Sequence, residues 1–204
     1  MACLRPDTML KPVRDTTALL ETTRAQWGGH QDLWVFGYAS LIWRPEFEFD
    51  EHRMAMVRGW HRCFRMRSRV NRGTPDLPGL VFALVTGGSC RGMVYRIPRA
   101  RANDELDRLW LREMPTGVYD PRWLPCDTAH GRVTALGFTL SRRSPSFLPH
   151  IPDEEMIKVL RHARGRYGTT LEYMVKTADA LHARGMLDRE LARLVRLARD
   201  AGLD

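Results

Sequence analysis

The sequence predicts an α+β fold in which a small mixed or antiparallel, barrel-like sheet packs against helices. Three observations predict it. Short apolar segments with strand character, separated by tight turns, dominate the first half of the chain. A helical pattern and one further strand follow, and the chain ends in a run of amphipathic helices. Strands joined by tight turns disfavour a doubly wound parallel sheet, whose neighbouring strands need long crossovers.

Residues 1–30 read as an N-terminal extension: an irregular start, then a short helix at 16–26 that stops at Gly28 and Gly29. Residues 31–204 read as a single domain that includes the C-terminal helices. Residues 33–36 (LWVF) are a buried strand candidate running into the small-residue turn Gly37, Tyr38, Ala39 and Ser40. Residues 60–69 alternate, with Trp60, Phe64 and Met66 on one face and Cys63, Arg65, Arg67 and Arg69 on the other. Turns fall at 71–75 and 77–79. Residues 80–85 and 93–97 are two more strands, with Gly87 and Gly88 between them as a hairpin loop.

Asn103 or Asp104 caps a helix running to about Met114, and 133–140 is another strand. Pro152 followed by Asp153, Glu154 and Glu155 opens the next helix, with acids at the positive end of its dipole. Thr169 and Glu172 make a capping box; Leu171, Met174, Val175, Ala178 and Leu181 then share one apolar face, and Gly185 ends the helix. Asp188 starts the last helix, with Leu191, Leu194 and Val195 inward.

With 204 residues, 44% hydrophobic and 27% charged, the composition is that of a globular chain and excludes disorder as its main state. No apolar run approaches the ~18 residues of a membrane span, and the charged N-terminus does not read as a secretory signal. Cys3, Cys63, Cys90 and Cys126 form no C-x-x-C pair, so the expectation is free thiols in a reducing cytoplasm. Cys126 near His130 is a weak pointer to a thiol nucleophile, and the seven histidines are dispersed with no metal-ligand spacing.

The net charge is +8, and most of the excess falls in residues 52–72, which hold Arg53, Arg58, Arg62, Arg65, Arg67, Arg69 and Arg72 and no acid. Such a stripe fits nucleic acid, an anionic small molecule, or a solvated strand face.

Two features carry chemistry. Leu106, Leu109 and Trp110 share a helix face, and Glu113 continues that stripe, whereas Arg108 and Arg112 fall off it. A carboxylate facing inward near a helix C-terminus is pushed toward a higher pKa unless a cation opposes it. A raised carboxylate suits proton transfer near neutral pH. The plain alternative is a helix-end Glu paired with an Arg or solvated. The second feature is the segment after the first strand. Small residues at Gly37, Ala39 and Ser40 let main-chain N–H groups approach a ligand, and the Tyr38 and Ser40 hydroxyls add donors. The alternative there is an ordinary strand ending in a tight turn.

Together these features resemble the ChaC family of gamma-glutamylcyclotransferases. The pattern V-F-G-Y-A-S-L-I-W at 35–43 resembles the family's V-F-G-Y-G-S-L-I-W, and R-E-M-P-T-G-V-Y at 112–119 resembles its R-E-x-x-x-G-x-Y. Segments at 72–79, 92–97 and 168–173 also resemble the family, so the likeness covers roughly residues 32–195. Ala39 departs from the family's usual Gly; a positive φ there would cost Ala about 1 kcal/mol, whereas a need for a small side chain alone would cost nothing.

The resemblance implies a gamma-glutamylcyclotransferase-like fold and cleavage of glutathione to 5-oxoproline and Cys-Gly, with no metal and no organic cofactor. It implies Glu113 as the catalytic residue and Gly37, Tyr38, Ala39, Ser40, Leu41 and Ile42 as substrate-binding, with Tyr119 and Tyr173 beside them. The expected partner is a small-molecule substrate, with no nucleic acid and no membrane; oligomeric state is left open. Two rivals stand beside this reading: a cyclotransferase for other gamma-glutamyl amines or amino acids, and a basic nucleic-acid-binding module. A relative that binds ligand without turnover is disfavoured by the presence of Glu113.

Overall fold

The computed structural model describes residues 14–203. The irregular start and Cys3 lie outside the described residues. Helix α1 (Thr16–Trp27) precedes strand β1 (Leu33–Gly37), the single-turn helix α2 (Ser40–Trp43) and two long strands, β2 (Glu51–Ser68) and β3 (Gly79–Ile97). Helix α3 (Arg99–Glu113) leads to β4 (Asp120–Thr128) and β5 (Gly131–Thr139). Then come α4 (Asp153–His162), the short pair β6 (Arg164–Gly165) and β7 (Gly168–Thr169), α5 (Thr170–His182) and α6 (Arg189–Asp200). Five strands close into a barrel in the order β1-β3-β2-β4-β5. Every pairing is antiparallel except β1 with β5, so the sheet is mixed and barrel-like, as the sequence predicts.

The residues expected as two strands and a hairpin loop form one continuous strand, β3. Gly87 and Gly88 take φ of 105° and 67° opposite Gly59 at 80°, where the pairing steps from Arg58↔Ser89 to Trp60↔Thr86. Glycines here bulge the ladder without reversing it. A second register shift, between Cys63 and Met66, breaks the alternation expected in β2. Cys63 is therefore buried rather than on the arginine face. It packs with Met66, Val85 and Phe147 in a small second cluster, while Phe64 enters the main core.

Strand β4 escapes the sequence reading because it contains Pro121 and Pro125. Both face β5, and only residues 126–128 of β4 also pair with β2, so each proline sits where one edge has no ladder to break. Helix α3 starts at Arg99 rather than near Asn103, with Pro98 (φ −55°) at its N-cap. The inward face of α5 is also rotated from expectation. Tyr173, Met174, Thr177, Ala180 and Leu181 are buried, whereas Val175 is exposed. Two threonines fit this face because their hydroxyls are satisfied locally: Thr170 donates to the Arg72 carbonyl and Thr177 to the Tyr173 carbonyl.

Helix α1 ends as expected at Gly28 (φ 76°). It lies against α3, with Trp110 Nε1 donating to the Thr16 carbonyl at 2.9 Å and Arg24 pairing with Asp107. At the other end of the chain, the expected cap Asp188 accepts from Leu191 N at 2.9 Å. Its second oxygen accepts from Arg62 Nε and Nη2 at 2.9 and 2.7 Å, and Arg62 Nη1 donates to the Tyr38 carbonyl at 2.6 Å.

The Arg62 side chain is only 4% exposed and that of Asp188 16%. Arg62→Ala would strand a largely buried carboxylate, so it should lower unfolding stability by about 3–5 kcal/mol. A urea titration of the two proteins measures this; a loss under about 1 kcal/mol would show that the pair contributes no more than a surface bridge.

Candidate active site

Leu106, Leu109 and Trp110 of α3 enter the core, and Glu113, the last residue of the helix, follows them inward with its side chain 15% exposed. It opens onto a narrow cleft at one end of the barrel, lined by Tyr38, Ala39, Ser40, Leu41, Phe82, Glu113, Tyr119, Phe138 and Tyr173. Barrel closure explains the gathering. β1 runs parallel to β5, so the chain leaving β1 meets the end of β5, and the Tyr38 hydroxyl donates to the Phe138 carbonyl at 3.0 Å. β4 pairs with β5 from Asp120↔Thr139, which brings Tyr119 to the same end. Tyr173 comes down from α5, and its hydroxyl accepts from Phe82 N at 3.3 Å, beside the register shift at Cys63/Met66.

Seven of the nine residues named from the sequence line this cleft. Gly37 and Ile42 do not. Gly37 ends β1, where a Cβ would stand 2.9 Å from Leu41 Cβ and 3.2 Å from the Tyr95 ring, so it permits the close approach of the following turn. Ile42 points into a separate cleft with Trp43, Tyr95, Lys176 and Arg184. Phe82 and Phe138 were legible only as strand-core residues. Ala39 has φ −144°, outside the left-handed region, so its departure from Gly carries no positive-φ cost.

Burial raises the Glu113 pKa above the ordinary carboxylate value; Arg112 opposes this, and Glu46 adds to it. Arg112 is therefore part of the site surroundings rather than off the stripe. Its Nε lies 3.0 Å from Glu113 Oε1, and its Nη1 lies 3.0 Å from Glu46 Oε2. Nη1 also donates to the carbonyls of Arg44 and Pro45. Burial likewise raises Tyr38, Tyr119 and Tyr173, with the Glu113 charge adding to each. These phenols remain protonated beside the carboxylate; the Tyr38 O–H is engaged by the Phe138 carbonyl, which leaves Tyr119 and Tyr173 as the O–H donors toward the cleft.

The cysteine pointer fails. Cys63, Cys90 and Cys126 are unpaired and buried, and burial pushes Cys63 and Cys126 to about 12. The Cys126 thiol contacts the Leu124 carbonyl. Among the described residues, no group of three His, Cys, Asp or Glu is placed to hold a metal ion, and no helix is long and apolar enough to cross a membrane. Much of the arginine stripe is engaged within the fold. Arg53 pairs with Glu51 and stacks on Trp34, Arg58 pairs with Asp127, Arg65 with Glu190, and Arg72 lies over the Tyr173 ring.

Fold and site thus define an α+β barrel protein with an inward carboxylate ringed by phenols at one barrel end. Its sequence matches the ChaC-like protein family over residues 33–201, and the chain belongs to that family. It is 35% identical over 190 residues to the glutathione-specific gamma-glutamylcyclotransferase of Escherichia coli (strain K12), covering 93% of this chain and 82% of that protein. It is 32% identical over 175 residues to the glutathione-specific gamma-glutamylcyclotransferase 1 of Homo sapiens, covering 82% and 79% respectively. A solved yeast gamma-glutamyl cyclotransferase specific to glutathione shares the fold, with a TM-score of 0.74 at 21% identity over 84% of this chain and 97% of that one.

The raised Glu113 pKa has a consequence for stability. The fold favours the protonated side chain, so its contribution is complete below the ordinary value of 4.5 and is lost as pH rises through the raised value. Glu113→Gln should therefore match the natural chain in denaturant titrations near pH 4 and exceed it near pH 8. The gain should be about 1.4 kcal/mol for every tenfold by which folding weakens the acid. Equal stability at both pH values would contradict a raised carboxylate.

Proposed function

We propose that this chain is a gamma-glutamylcyclotransferase that cleaves glutathione to 5-oxoproline and Cys-Gly. The observation that carries the reading is the Glu113 carboxylate, held inward at a cleft formed with residues 38–41, in a chain whose relatives are named for that activity.

The substrate contains its own nucleophile. The glutamyl α-nitrogen attacks the γ-carbonyl carbon, a C–N bond closes the five-membered ring, and the bond to the cysteinyl nitrogen breaks. Folding the chain into that conformer supplies much of the acceleration, since well-oriented intramolecular attack is worth roughly 7–11 kcal/mol. The ammonium must first lose a proton. Glu113 accepts it as a base and then delivers it as an acid to the departing nitrogen. Over the whole reaction the glutamyl nitrogen loses two protons and the cysteinyl amine gains two, so the carboxylate is regenerated. No oxidation state changes, so the reaction requires no redox cofactor.

A carboxylate raised by burial is a stronger base and a better match for an ammonium donor than a solvated one. The backbone at Tyr38, Ala39, Ser40 and Leu41, with the Ser40 hydroxyl, holds the glutamyl carboxylate and aims the amine at Glu113. Tyr119 and Tyr173 border the reacting atoms as hydrogen-bond donors. The three buried, unpaired thiols accord with a reducing compartment, and we place the enzyme in the cytoplasm.

Incubation with glutathione and with gamma-glutamyl dipeptides, scored for 5-oxoproline by mass, tests the reading. Glutathione should be consumed preferentially; equal turnover of the dipeptides would overturn the substrate assignment, and no product from any of them would overturn the activity. Glu113→Gln should retain glutathione binding and lose turnover by about 10²–10⁴-fold. More than a few per cent of residual activity would remove Glu113 from the mechanism.

A further inference from the structure

Glu46 is the one non-glycine residue with positive φ among the described residues, at 58°. A side chain in that conformation is uncommon and is held there by its surroundings. Here the surroundings are electrostatic. Arg44 Nε donates to Glu46 Oε1 at 2.6 Å, and Arg112 Nη1 lies 3.0 Å from Glu46 Oε2. The same Arg112 nitrogen reaches the Arg44 and Pro45 carbonyls, so residues 44–46 wrap one arm of the guanidinium. Its Nε is left for Glu113 Oε1 at 3.0 Å.

We propose that Glu46 is a positioning residue for the cyclotransfer reaction: it anchors Arg112 between two carboxylates and so fixes where Glu113 stands and how much positive charge it receives. This rests on the reading of Glu113 as the proton carrier. Without Glu46, Arg112 would have one carboxylate to serve instead of two and would bind Glu113 more completely, making it a weaker base. The groups facing Glu113 are Arg112 on its own helix, Glu46 from the segment after α2, Tyr38 and Tyr119 at the strand ends, and Tyr173 from α5. The phenols stay neutral and protonated when Glu113 titrates, which leaves Arg112 and Glu46 as the charged pair that sets its response. Loss of the Glu46 charge and tighter capture by Arg112 both act in the same direction on Glu113, toward easier ionisation.

The test is the pH dependence of kcat/KM for glutathione in Glu46→Gln, Glu46→Gly and Glu46→Asp, with Glu113→Gln alongside. Glycine accepts the left-handed backbone, so that variant removes the carboxylate while keeping the local conformation. Both Glu46→Gln and Glu46→Gly should move the acid limb to lower pH by roughly 0.5–1 unit and lower the plateau rate. Glu46→Asp, which keeps the charge and tolerates positive φ, should hold the limb near its original position. A uniform loss of rate in Glu46→Gln and Glu46→Gly with an unmoved limb would reduce Glu46 to a structural brace and overturn the proposal. Turnover by Glu113→Gln would instead overturn the proposed mechanism, so the two failures are separable.

Discussion

Glu113 is held between opposing demands. Burial at the end of α3 favours its neutral form, while the guanidinium 3.0 Å away favours its charged form, and burial is the larger influence. The barrel keeps both demands in place. An exposed Glu113 would be an ordinary surface acid with an ordinary pKa. A buried Glu113 without Arg112 would ionise less readily still, because the one influence that opposes burial would be gone. Closure of the five-strand sheet fixes the walls: the hydrogen bond from Tyr38 to the Phe138 carbonyl spans 100 positions of sequence and exists only because β1 lies beside β5.

The long pair β2 and β3 makes that closure compatible with a working cleft. Eighteen and nineteen residues of regular ladder would give a stiff ribbon; two register shifts interrupt it. The first uses three glycines with positive φ. The second, between Cys63 and Met66, turns neighbouring side chains into different clusters and accompanies the Phe82 N–H bond to the Tyr173 hydroxyl. A bulge beside a site re-aims a side chain without adding a new element. In this chain it also ties the C-terminal helices to the sheet, because Tyr173 belongs to α5.

Features decided within one or two helical turns were legible in the sequence. The stop of α1 at Gly28, the caps at Thr169 and Asp188, and the inward direction of Glu113 all follow from local spacing. The features that were not legible depend on partners far along the chain. Paired glycines at 87 and 88 carry the same local signal whether the strand reverses or bulges; only the facing Gly59 decides. The inward face of α5 is set by the hydroxyls of Thr170 and Thr177, whose satisfaction cannot be counted before their acceptors are placed. Helical spacing points the Arg112 side chain away from the stripe, yet its length lets the guanidinium reach around to the next residue. Glu46 carried no pattern at all, since its role comes from a backbone angle and two arginines.

The chain carries 29 arginines against three lysines, and that preference has a structural use at Arg62, Arg72 and Arg112. Arg62 joins Asp188 to the Tyr38 and Arg91 carbonyls, Arg72 reaches the Tyr167 and Thr169 carbonyls while lying over the Tyr173 ring, and Arg112 joins two carboxylates to two carbonyls. Each connection needs several donors in fixed directions from one planar group. A lysine ammonium supplies a single compact charge and could not span the same acceptors. Each of the three borders the cleft: Arg62 holds the turn after β1, Arg72 lies against a tyrosine of the cleft, and Arg112 holds the carboxylate. Positive charge that the composition presents as a surface property is in these cases turned inward, where it donates to backbone carbonyls and, at Arg62 and Arg112, pairs with the largely buried Asp188 and Glu113. The consequence is directional rather than merely stabilising, because each guanidinium fixes the orientation of a group that lines or adjoins the cleft.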